Sequence, residues 1–88
     1  MDVRARVAHN VRTLRVAAGI SQENFAVDVR LDRTYVSRIE RGLENPTVGV
    51  LGRIAKVLKV DVVDLVLEPS SRSRPGTLKP GRKLGKGR

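Results

Sequence analysis

Residues 31–42 read LDRTYVSRIERG. Val36 and Ile39 stand three apart, on one side of a helix, while Thr34, Ser37, Arg38 and Arg41 keep helical spacing on another. A solvated helix face usually mixes both charge signs. This face holds hydroxyls and arginines, and its acids, Asp32 and Glu40, lie off it at the start and near the end. Asp32 reads as an N-cap and Gly42 as a C-terminal stop, so the stretch predicts one short helix with a donor-rich side.

The neighbouring segments read the same way. Upstream, Arg30-Leu31 is a short turn, and Ser21 caps a helix from about Gln22 to Val29 with Phe25, Ala26 and Val29 facing inward. Before that, a first helix spans about Val3 to Ala18; Val7, Val11, Leu14 and Ala18 form its apolar stripe and Gly19 stops it. Downstream, the loop Leu43-Glu44-Asn45-Pro46 leads to Thr47, the cap of a fourth helix with Leu51, Ile54, Ala55 and Leu58 inward. Asp61 caps a last short helix, Val62 to Leu67, which Pro69 terminates. The expectation is an all-α fold of five helices in residues 1–68. Alternating strands rich in Val, Thr and Tyr, which a small sandwich or barrel would show, are missing.

Composition narrows the classes. Eighty-eight residues suffice for one domain, and 2% aromatic content leaves the core to Val, Leu, Ile and Ala. The absence of cysteine excludes disulfides and thiolate metal sites and suits a reducing cytoplasm. The N-terminal MDVRARVAHNVRTLRVAAG carries arginines throughout, with no apolar run fit for a signal peptide or membrane span. Eleven of the 18 Lys and Arg and all nine acids fall in residues 1–68, a net +2, and the other seven cations fall in residues 69–88. That last segment, PSSRSRPGTLKPGRKLGKGR, has too little apolar surface to offset its ordering entropy and reads as a disordered basic tail. Two readings of it stay open: an inert solubilising extension or, the favoured one, seven cations that lie along phosphates and add salt-sensitive, sequence-independent affinity.

Two short helices joined by a tight turn, the second polar on one face, make a helix-turn-helix pattern. The second helix must bury one side, here Val36 and Ile39, and keep the other free of bulky apolar groups, because that side enters a major groove. Guanine offers two acceptors there, and one guanidinium can bond both. Arg33 and Arg38, five residues apart, project about 140° apart around the axis. One therefore reads a base near the helix start while the other works further along or meets phosphate. Thr34, between them, suits a thymine methyl group.

The run SQENFAVDVRLDRTYVSRIERGLENPTVGVLGRIAKVLKV resembles the Cro/phage-repressor (Xre-type) helix-turn-helix family over about residues 4 to 67. The matching elements are Gln22 opening the second helix, Ala26 at the helix contact, Ser37 and Ile39-Glu40-Arg41-Gly42 closing the third, Asn45-Pro46 in the loop, and Ala55 with Leu58-Lys59-Val60 later. The LDRTY run with IERG also looks like controller proteins of restriction–modification systems. By position, the resemblance implies that Arg33, Thr34 and Arg38 read bases. It implies that Gln22 bonds a backbone phosphate with help from the helix dipole, that Tyr35 and Ser37 make phosphate or mixed contacts, and that Arg41 and Asn45 belong to the loop that grips phosphate. It further implies a partly buried ion pair between Arg15 and Glu40. One position departs from the pattern: Arg30 fills the turn where many members have Gly. Either the turn takes another geometry, or Arg30 accepts the steric cost of left-handed backbone.

Val57, Val60, Val62, Val63 and Val66 crowd the C-terminal end. Val60 and Leu65 fit the core by family position, whereas Val62, Val63 and Val66 exceed what so small a core needs and suit a homodimer interface; the alternative is that these valines close the monomer core. A two-fold protein of this kind binds a palindromic double-stranded operator with half-sites about one turn apart. The expected function is a DNA-binding transcriptional regulator, a repressor or autoregulating controller. The alternative is an antitoxin or coactivator-type module with a small protein partner. An enzyme is disfavoured by the single histidine, His9, and by the lack of a phosphate loop or paired carboxylates, so neither cofactor nor metal is expected. RNA binding is disfavoured by one Tyr and one Phe.

Overall fold

The structure is a computed structural model that describes residues 1–69. Each of its first four helices begins at a side chain that accepts a hydrogen bond from a backbone N–H of the first turn. Helix α1, Val3–Ala17, starts at Asp2, which accepts from Ala5 at 2.8 Å. Helix α2, Gln22–Val29, starts at Ser21, which accepts from Asn24 at 3.1 Å. Helix α3, Arg33–Glu40, starts at Asp32, which accepts from Thr34 at 2.9 Å, and α4, Val48–Leu58, at Thr47, which accepts from Val50 at 3.1 Å. The four-residue α5, Val63–Val66, is preceded by a reciprocal pair: Asp61 accepts from the N–H of Val63 at 2.9 Å, and Asp64 accepts from the N–H of Asp61 at 3.1 Å.

Left-handed residues end four of the five helices of the described residues, as the orphan carbonyls of a last turn require. Gly19 (φ 74°) follows α1 and Gly42 (φ 75°) follows α3, where no side chain has to be accommodated. Arg30 (φ 66°) and Lys59 (φ 60°) do the same after α2 and α4 despite their Cβ atoms. Of the two outcomes open for Arg30, the turn keeps the left-handed geometry. The N–H of Leu31 reaches the carbonyl of Ala26 at 2.9 Å and that of Arg30 reaches Val27 at 3.2 Å.

α1 packs against α5, α3 and α4, and α2 packs against α3 and α4. The side chains that meet in the centre are aliphatic apart from one ring: Phe25, Ile54, Leu65, Val11, Val29 and Val36 are fully buried. Val60 packs on the edge of this core, and Leu65 lies within it. The predicted stripe of α1 is displaced at its C-terminal end. Val7 and Val11 are buried and Leu14 half-buried, but Ala18 is exposed, because α1 ends one residue earlier and Ala18 becomes its C-cap. Two polar residues, Asn10 and Arg15, take inward positions instead.

Asn10 has no exposed surface. Its Nδ2 donates to the carbonyls of Leu65 at 3.0 Å and Leu67 at 2.9 Å, which ties α5 to the middle of α1. Its Oδ1 has no partner among the described residues. Arg6 adds a contact to the carbonyl of Val66 at 3.4 Å and an ion pair with Glu68 at 3.6 Å. No helix of the described residues is long and apolar enough to cross a membrane. Of the expected basic tail, residues 70–88 lie outside the described residues.

Candidate nucleic-acid interface

α2 and α3 are joined by Arg30, Leu31 and Asp32. The buried side of α3 is Val36 and Ile39, as their spacing predicts, with Glu40 behind them. On the other sides Arg33 and Thr34 are exposed, and Tyr35, Ser37 and Arg38 are half-buried. Tyr35 packs on the edge of the core. Arg41 follows as the C-cap, and Asn45 is exposed in the loop before α4.

The second helix of the pair is held from behind by one carboxylate. Arg15 on α1 donates to Glu40 twice, Nε to Oε2 at 2.6 Å and Nη2 to Oε1 at 3.1 Å, while its Nη1 donates to the carbonyl of Ile20 at 2.6 Å. Gln22, the first residue of α2, donates from Nε2 to the same Oε1 at 3.0 Å. Three helices therefore meet on Glu40. The bidentate fork fixes the rotation of α3 about its axis, and Gln22 is brought into the same cluster. The turn is braced separately: Arg53 on α4 donates to the carbonyls of Val29 at 3.0 Å and Arg30 at 3.1 Å, which satisfies acceptors left over at the end of α2.

Both arginines singled out as base readers have acidic neighbours. Arg33 lies 3.5 Å from Glu23, with both side chains well exposed. Arg38 donates from Nε to Glu44 Oε2 at 2.7 Å and from Nη2 to the carbonyl of Leu43 at 3.4 Å. Glu44 comes from the loop and folds back toward α3, so the face is less purely cationic than residues 31–42 alone suggest.

The structure thus gathers Arg33, Thr34, Tyr35, Ser37 and Arg38 along α3, and Gln22, Arg15 and Glu40 in one cluster at its rear. Val62 and Val63 stand apart on the C-terminal end, 41% and 49% exposed. Val66 does not join them fully, since it is half-buried against the core. Sequence reasoning missed the roles of Glu44, Arg53, Asn10 and Asp2. Asp2 was readable as a cap three residues ahead of the N–H that it accepts. The other three act across 6, 24 and more than 50 residues, where local patterns are silent. No group of His, Cys, Asp and Glu among the described residues could hold a metal ion.

The helix-turn-helix family model HTH_3 matches residues 11–65, from the middle of α1 through Leu65 of α5. The chain belongs to the helix-turn-helix family of transcriptional regulators. It is similar to a hypothetical transcription factor of Neisseria meningitidis, with 42% identity over 71 residues that cover 81% of this chain and 67% of that protein. The crystal structure of a hypothetical transcription factor from Neisseria aligns with a TM-score of 0.77 and 42% identity, covering 81% of this chain and 82% of that one. The control protein C.SmaI of Serratia marcescens is 34% identical over 76 residues, 86% of this chain and 90% of that protein. The restriction–modification controller C.Esp1396I, solved as a tetramer with its natural 35 base-pair operator, aligns with a TM-score of 0.66 and 31% identity over 77% of this chain and 99% of that one.

Proposed function

We propose that this helix-turn-helix regulator binds a palindromic operator as a homodimer and acts there as a repressor or as an autoregulating controller in the cytoplasm. The observation that carries this reading is the rigid mounting of α3. Its apolar side is sealed, its rear carboxylate is clamped by Arg15 and Gln22, and the side bearing Arg33 and Thr34 is open. A helix held this way presents base-reading groups in a defined orientation at little entropic cost. The complex of C.Esp1396I with its operator supports the same use of the fold.

In this reading Arg33, Thr34 and Arg38 meet base edges. Gln22, half-buried with one Nε2 hydrogen on Glu40, keeps its second Nε2 hydrogen for a phosphate at the start of α2, where backbone N–H groups and the helix dipole favour an anion. Tyr35, Ser37, Arg41 and Asn45 make the flanking phosphate or mixed contacts. Val62 and Val63, with the exposed edge of Val66, meet their counterparts in a second copy, which places two third helices one helical turn apart. Promoter occupancy then blocks polymerase, or recruits it when the operator lies upstream.

The test is selection of bound sequences from random duplex DNA at near-physiological salt. Enrichment of a palindrome or a spaced repeat is expected. Tight binding with no enrichment would sink the operator reading and leave a phosphate-driven or protein-partnered role.

A further inference from the structure

We propose that Glu44 is a specificity-determining residue: by pairing with Nε of Arg38 it cancels the attraction of that arginine for phosphate while leaving its outer N–H groups free for guanine. The inference rests on the proposed placement of Arg38 at base edges.

The geometry separates the two uses of one guanidinium. Glu44 takes the Nε–H at 2.7 Å, and the Leu43 carbonyl takes a longer contact from Nη2 at 3.4 Å. Nη1 has no protein acceptor among the described residues. Guanine O6 and N7 can be bonded end-on by the two Nη groups, so a carboxylate on Nε does not compete with this readout. It also removes rotamers that the arginine would otherwise lose on binding. Phosphate attraction is different in kind, because it follows net charge and counterion release rather than hydrogen-bond pattern. The Arg38–Glu44 unit has no net charge, so it gains little from a phosphate and keeps its bonds for a base. The side chains are 42% and 29% exposed, which leaves the pair at the surface where DNA arrives. Arg33 offers a contrast. Its acid is 3.5 Å away, both side chains are more than half exposed, and it gives no comparable hold. Such a filter has value in a chain whose last twenty residues carry seven cations and no acid, since these favour every DNA sequence alike.

The full chain and its Glu44→Gln variant are titrated with a selected duplex and with a scrambled duplex across a series of salt concentrations. On scrambled DNA, the variant is expected to bind more tightly at low salt. Its plot of log K against log salt should steepen by about 0.9, one counterion. Its preference for the selected duplex should fall about tenfold, of the order set by one guanine contact. The double variant Arg38→Gln/Glu44→Gln should return the scrambled-DNA slope to the wild-type value without restoring the preference. Melting temperature checks that each variant folds. If Glu44→Gln keeps the wild-type preference, or tightens both duplexes equally, the inference is overturned while the operator reading stands. A wild type with no preference overturns both.

Discussion

Replacing Glu40 with Ala removes the acceptor on which three helices converge. Arg15 Nε and Nη2 and Gln22 Nε2 lose their partner, and only the Nη1 bond to the Ile20 carbonyl remains to Arg15. The side chains of Arg15 and Glu40 are 10% and 2% exposed, so the stranded guanidinium is poorly hydrated. Breaking one side of a buried pair costs about 3–5 kcal/mol. Arg15 sits at the rim and regains some water by turning outward, which places the expected loss near the lower figure, about 3 kcal/mol. In a domain of this size each kcal/mol moves the melting temperature by about 4–8 °C, so Glu40→Ala should melt about 12–24 °C lower. Circular dichroism at 222 nm against temperature, repeated in urea at fixed protein concentration, measures this. Glu40→Gln keeps an acceptor without the charge and should fall between the two. The double replacement Arg15→Met/Glu40→Leu leaves no orphaned charge and should recover most of the loss, giving a large coupling in the double-mutant cycle. A shift below about 4 °C for Glu40→Ala would refute the reasoning, because Arg15 would then be as well solvated without its partner as with it.

Arg33→Ala should weaken operator binding by about 1–3 kcal/mol and relax selection at one base pair of each half-site, read by repeating the selection with the variant; unaltered selection would move base readout elsewhere on α3. Val62→Asp and Val63→Asp alter exposed positions and should change unfolding free energy by less than about 0.5 kcal/mol, yet shift self-association toward monomer in sedimentation equilibrium. A dimer of unaltered strength would place the interface on another surface. Arg30→Gly should raise stability by up to about 1 kcal/mol, read as a higher urea midpoint, since glycine adopts φ 66° without a Cβ penalty. A lower midpoint would mean that the Arg30 side chain contributes more than its backbone strain removes.

How much of this was legible beforehand depends on the distance over which each feature is decided. Ser21, Asp32 and Thr47 could be recognised as caps because a cap needs only its own hydroxyl or carboxylate and a backbone N–H two or three residues on. Val36 and Ile39 could be assigned inward by period alone. Ala18 could not, since its place depends on the residue at which α1 stops. Asn10 was invisible for another reason. An amide in a helix reads as a solvated position, and only the packing of α5 against α1 turns it into a buried donor to Leu65 and Leu67. Arg15 and Glu40 were expected to pair through family resemblance, but the addition of Gln22 to the same oxygen was not. Arg38 looked free on its face because Glu44 reaches it from a loop whose path no periodicity describes.

Arg53 has a consequence for how such a domain changes. It reaches from α4 to the carbonyls of Val29 and Arg30, so the turn is positioned by a residue outside the motif. Arg15 and Glu40 set the roll of α3 from its far side. None of these three lies among Arg33, Thr34 and Arg38. The mounting and the reading head are therefore separable parts, and a lineage or an engineer can exchange the head for a new half-site while the socket that aims it stays as it was.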